Sequence, residues 1–106
     1  MTEQDPGNDE WQLDLAVTET WLGDVFEAQG KLTEAQASLK AALAIRQPLT
    51  ERDPGNTGWQ LELAKVHSRL GQVLEAQGKS TEAQAAFDAA LAINQRFNQQ
   101  DSGNAS

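Results

Sequence analysis

The chain repeats itself at a constant interval, and that interval constrains everything else. Asp5-Pro6-Gly7-Asn8 returns as Asp53-Pro54-Gly55-Asn56 and again, with Ser102 in place of proline, as Asp101-Ser102-Gly103-Asn104, each 48 residues further on. In this register 28 of 48 positions are identical, including Trp11-Gln12-Leu13 on Trp59-Gln60-Leu61 and Ala41–Ile45 on Ala89–Ile93. A unit of this length cannot bury its apolar face alone, so neighbouring units must stack on one another. The expected organisation is a single repeat domain over 1–106: repeat one at 5–52, repeat two at 53–100, and a stub of a third at 101–106. Thr2-Glu3-Gln4 before Asp5 echoes Thr50-Glu51-Arg52 before Asp53, as expected of a segment cut from a longer array or designed to imitate one.

Each repeat reads as two helices. From about Asp9 to Gln29, Trp11, Leu15, Leu22, Val25 and Phe26 fall at helical intervals with no internal proline. A strand of that length and alanine content is not expected. Asp-Pro-Gly-Asn suits a turn that places Asn8 or Asn56 to cap the next helix. Gly30 and Gly78 stand where a left-handed residue ends the first helix, and Thr33-Glu34-Ala35-Gln36, repeated at Thr81–Gln84, has capping-box spacing. The second helices are expected at Thr33–Arg52 and Thr81–Gln100, after loops of about three residues. Their alanines imply close neighbours on two faces. Pro48, where the second copy has Arg96, should remove the hydrogen bond to the Ala44 carbonyl and kink or shorten its helix. Gly23 and Gly71, costly inside helices by about 1 kcal/mol each, imply close helix approach. The fold class is therefore all-α, four long helices in tandem antiparallel hairpins.

With these elements placed, a family resemblance appears. Leu22-Gly23-x-x-Phe26, Ala35-x3-Leu39 and Ala42, with Leu70-Gly71-x-x-Leu74, Ala83-x3-Phe87 and Ala90 in the second copy, resemble the tetratricopeptide repeat pattern. The chain departs from it at Glu19 and His67, which replace an aromatic, and in its period of 48 rather than 34. The extra turns are assigned to both helices, with Trp11 and Trp59 on extended first helices and Leu49 and Phe97 on extended second ones. Trp59 is expected against the Leu49 region. The resemblance implies an α-solenoid with a right-handed superhelix, whose concave groove, lined by first helices, holds a peptide or protein partner.

Composition narrows the functional classes. A net charge of -8 disfavours nucleic acid and anionic membrane surfaces as partners. The absence of cysteine removes disulfides, thiolate metal sites and cysteine nucleophiles, and fits a cytoplasmic setting. The longest apolar run, Ala41–Ile45, is too short to span a bilayer. His67 stands alone without zinc spacing, and Asp5–Glu10 lacks the ligands of a calcium loop. No phosphate loop, nucleophile elbow or zinc-protease motif occurs, so a non-catalytic protein without cofactors is expected.

Candidate partner-binding residues follow from the resemblance and from differences between copies. Lys65 and Arg69, one turn apart, replace Val17 and Trp21; some family members hold a partner's terminal carboxylate with such a pair, whereas an ordinary solvated pair is the plain reading. Val17 and Trp21 would form an apolar patch or pack on the N-terminal tail. Asp24 and Gln72 complete the expected set. Residues 5–52 carry nine acidic and four basic residues and 53–100 five and four, so the repeats are -5 and -1. The acid could draw a basic partner or only maintain solubility. An open apolar face is expected on the last helix at Phe87, Leu91 and Phe97. These end faces suggest a homo-oligomer, a symmetric dimer or head-to-tail stack. The function expected is a protein-protein interaction scaffold segment; the alternative is a structural or engineered self-assembling unit without a foreign ligand.

Overall fold

The computed structural model describes residues 4–105, and their side chains over 9–97. Its elements are four helices: α1 (Gln4–Ala28), α2 (Leu32–Arg52), α3 (Thr57–Ala76) and α4 (Ser80–Ala105). Consecutive helices pack together, α1 touches α3 more lightly, and α1 does not meet α4. The result is a slab of 42 × 37 × 19 Å. Its radius of gyration is 14.9 Å, against about 13 Å for a compact domain of this size. The hairpins therefore lie side by side rather than closing around one centre.

The hairpin turns are set by glycine. Gly30 and Gly78 have φ of 79° and 81°, a left-handed geometry that costs L-residues a clash. Around Gly30, the Lys31 amide donates to the Phe26 carbonyl at 2.8 Å and the Gly30 amide to Glu27 at 2.9 Å. Lys79 and Gly78 repeat this with Leu74 and Glu75, both at 2.9 Å. These paired bonds satisfy carbonyls that the helix end would leave free.

The same turns displace the expected capping boxes. The Lys31 and Lys79 carbonyls already accept the Ala35 and Ala83 amides at 2.9 Å, so α2 starts at Leu32 and α4 at Ser80. Thr33 and Thr81 thus fall inside the helices, and among the described residues neither side chain caps. Between the repeats the expected cap does form, because Asn56 Oδ1 accepts the Trp59 amide at 3.1 Å.

Other expectations need correction. Asp5–Asn8 is the opening of α1, not a turn. A proline in a first turn sacrifices no hydrogen bond, because those amides have no partner in the helix. Asp101–Asn104 lies within α4, where the proline that helps break the chain at residue 54 is absent. Pro48 does not shorten α2, which runs on to Arg52.

The core lies between the hairpins. Ala35, Leu39 and Ala42 of α2 meet Val66, Leu70, Val73 and Leu74 of α3, with Ala83 and Ala86 of α4. Small residues on α2 let helices approach on both sides, as its alanine content implied. The interior glycines serve the same end. A Cβ on Gly23 would stand 2.8 Å from Leu39 Cγ, and one on Gly71 would stand 2.7 Å from Phe87 Cε1. Leu49 is buried and Trp59 half-buried, at the point where the extended helix ends adjoin.

The open face expected on α4 is reduced to Leu91. Phe97 is buried, with the Arg96 guanidinium 5.6 Å from its ring centroid, and Phe87 is half-buried against the core. Phe97 is the counterpart of buried Leu49, so it belongs to the inner stripe of its helix. Among the described residues, no helix is long and apolar enough to cross a membrane.

Candidate functional site

The first helices of the repeats, α1 and α3, face one another across α2, and the space between them is a cavity. Its volume is about 200 Å³, and its walls are Val17, Thr20, Trp21 and Asp24 of α1 and Glu62, Lys65, Val66 and Arg69 of α3. Each wall follows from helical spacing, because residues three and four apart share a face. Arg46 of α2 completes the lining. Five of the six residues singled out from sequence thus meet in one place. Gln72 joins Lys65 and Arg69 in a second cavity of about 260 Å³, with Ser68 and Asn94.

The charges inside are partly partnered. Arg69 Nη1 donates to both carboxylate oxygens of Asp24 at 2.9 Å, tying α3 to α1. Lys65 Nζ lies 3.4 Å from Glu62 Oε2. The plain reading of Lys65 and Arg69 as a solvated pair is therefore incomplete, since each has an acidic neighbour. All four side chains remain accessible to solvent, at 35–65%, so each bridge contributes about 0–1 kcal/mol. Their larger effect is to fix where the cations sit.

Arg46 differs in kind. It is 6% exposed, and its Nε has no hydrogen-bond partner among the described residues. Burial pulls its pKa below the ordinary arginine value, while the nearby Glu62 carboxylate opposes that shift. A guanidinium remains protonated at neutral pH, so a buried charged donor lines this cavity. Any acceptor that enters the cavity, water included, can stabilise it. The sequence reading passed over Arg46 and Glu62. The available signal was spacing: Arg46 lies seven residues after Leu39 and three before Leu49, on the buried stripe.

The rim is apolar on one side. Trp21 is 74% exposed and Val17 55%; the N-terminal tail expected as an alternative cover lies outside the residues whose side chains are described. His67, elsewhere on α3, is half-buried, and desolvation holds its pKa below the ordinary value. No cluster of three or more metal-ligating side chains exists among the described residues.

Comparison with known families agrees with this geometry. The tetratricopeptide repeat pattern matches residues 64–97 and, separately, residues 20–48, together more than half the chain. Neither the comparison with curated proteins nor that with solved structures gives a match. Between the matched stretches lie the end of α2, the Asp53–Asn56 turn and the start of α3, where the longer period places its additional turns. Two matches, one on each of two stacked helical hairpins, establish that the chain belongs to the tetratricopeptide repeat family.

Proposed function

We propose that this chain is a non-catalytic scaffold segment that binds a peptide or protein strand in the groove between α1 and α3. Tetratricopeptide repeats are generally protein-interaction modules. The finer assignment rests on one observation. The positions lining the α1 and α2 sides of the cavity are Val17, Thr20, Trp21, Asp24 and Arg46, and their second-copy counterparts are Lys65, Ser68, Arg69, Gln72 and Asn94. All five differ, although 28 of 48 positions are identical between the copies. Exposed Gln29, Lys31 and Glu34 are kept as Gln77, Lys79 and Glu82, so exposure alone does not account for the divergence. A groove that reads successive residues of an extended ligand needs different walls along its length, whereas packing between repeats does not.

The ligand chemistry follows from those walls. Trp21 and Val17 offer an apolar surface, and Arg46, Lys65 and Arg69 offer donors beside it. A segment with an apolar side chain next to an acceptor, either a main-chain carbonyl or a carboxylate, fits both features. The test is an array of short random peptides probed with the chain and with Trp21→Ala. Selected peptides should bind the variant at least tenfold more weakly, corresponding to loss of about 1.4 kcal/mol or more. Peptides ending in acidic residues, free or amidated, should also be compared with Lys65→Glu/Arg69→Glu. Unchanged binding in both variants would remove the groove from consideration.

A further inference from the structure

The two cavities are one motif in two registers, and one of them is incomplete. The residues Lys65, Ser68, Arg69, Gln72 and Asn94 around the second cavity are the counterparts, 48 positions on, of Val17, Thr20, Trp21, Asp24 and Arg46 around the first. The first cavity also has a far wall, Glu62, Lys65, Val66 and Arg69 from the next first helix. The second has no such wall among the described residues. Its missing members correspond to Asp14, Val17, Thr18 and Trp21, which lie on α1.

The helix faces at the two ends show the same asymmetry. Within the chain, α2 packs on α3. On the α3 side, Leu63, Val66, Leu70 and Val73 are all buried; their counterparts on α1, Leu15, Thr18, Leu22 and Val25, are all exposed, the three apolar ones at 43%, 41% and 45%. On α2, Leu32, Gln36, Leu39, Leu43 and Arg46 form a helical stripe, none of it exposed. The α4 counterparts Ser80, Gln84, Phe87, Leu91 and Asn94 are each more exposed than their partners in α2. One end is an uncovered copy of the α3 face, and the other is an uncovered copy of the α2 face.

We infer that a second copy of this chain stacks head-to-tail, its α1 on α4 of the first, reproducing the α2–α3 junction and completing the groove at Lys65 and Arg69. In this arrangement Trp21 of the second copy adjoins Gln72, as Arg69 adjoins Asp24 within the chain. Complementarity selects this pairing over a symmetric one, because the α1 and α4 faces copy opposite sides of the α2–α3 junction; charge adds to this only against the α1–α1 pairing, which would set two -5 repeats face to face. The α4 stripe is more polar than its α2 counterpart, so the contact is weak and concentration-dependent. It is also heterologous, so it can propagate. Net charge opposes it, and added salt strengthens it by screening.

Sedimentation velocity on the full chain, from micromolar to millimolar concentration, tests the inference without any ligand, so its failure is separate from failure of the peptide reading. The wild-type chain should show mass rising with concentration beyond a dimer. Leu22→Asp and Leu91→Asp alter exposed residues on opposite end faces; circular dichroism should show each folded, and each alone should be monomeric. Mixed together they should form a one-to-one heterodimer, because each retains the face that the other has lost. A strictly monomeric wild-type chain would overturn the inference. So would one variant that still dimerises alone, or a mixture that stays monomeric, since a symmetric contact behaves in those ways.

Discussion

Replacing Gly71 by alanine sets two effects of known size against each other. In an ordinary helix interior this change stabilises by about 1 kcal/mol, because glycine surrenders more backbone freedom on folding. At this site the new Cβ would lie 2.7 Å from Phe87 Cε1 and 2.9 Å from both Cδ1 and Cζ. Carbon atoms in contact prefer about 3.5–4.0 Å, so the ring must retreat by nearly 1 Å. Three atoms of one rigid plane cannot be relieved by a single rotamer adjustment, and the ring packs against the core. Overpacking of this kind costs about 1–3 kcal/mol, and the upper half of that range applies. The expected net effect is destabilisation by about 1–2 kcal/mol, or a fall of about 5–15 °C in Tm.

Urea denaturation followed by far-ultraviolet circular dichroism measures this difference. Gly58→Ala is the internal control, because a Cβ there meets only Asn56 Oδ1 at 3.7 Å; it should be neutral or stabilising by up to about 1 kcal/mol. Phe87→Val supplies the second arm, since it removes the three offending ring atoms. In that background Gly71→Ala should reverse sign and stabilise. The steric reasoning is refuted if Gly71→Ala raises stability as much as Gly58→Ala does, or if its effect is unchanged when the ring is gone.

Three further outcomes follow from single contacts. Asn56→Ala removes the side-chain acceptor for the Trp59 amide and should destabilise by about 1 kcal/mol in the same denaturation assay. Pro48→Arg installs the second copy's residue and restores an amide able to bond the Ala44 carbonyl; a rise in stability of about 1–3 kcal/mol is expected, and no gain would mean that the helix has fully accommodated the ring. Burial lowers the His67 pKa, so just below the ordinary histidine value, about pH 6.5, the unfolded chain binds more protons than the folded one. Stability should therefore fall as pH drops from neutral through that window toward the lowered folded value. His67→Gln should flatten this part of the profile.

Much of the fold was legible because the repeat made each reading twice. Gly30 and Gly78, Gly23 and Gly71, and Asp53–Asn56 each carry a local requirement that coordinates merely confirm in detail. What misled was treating a pattern as sufficient without its surroundings. Thr33 has capping-box spacing, but the turn before it delivers the Lys31 carbonyl as first acceptor and starts the helix early. Asp5–Asn8 matches the turn sequence of Asp53–Asn56 but opens α1, where a proline in the first turn is tolerated. Phe97 was grouped with Leu91 because both are apolar and late in α4. Its own counterpart, buried Leu49, already placed it inside.

The site was legible only in part, for a different reason. Comparing the copies without coordinates yields twenty differences spread along the repeat, most with no indication of where they face. Packing sorts them. Leu70, Gly71 and Val73 meet neighbouring helices and are identical to Leu22, Gly23 and Val25, while Trp21 and Asp24, interleaved among them, change to Arg69 and Gln72. A helix turns about 100° per residue, so adjacent positions can answer to unrelated demands. Arg46 is the extreme case. Sequence shows a charge at the end of an apolar run, while structure shows a guanidinium buried at the edge of the groove. Stability alone would favour an apolar side chain there, so packing between the hairpins does not account for a charge on this stripe.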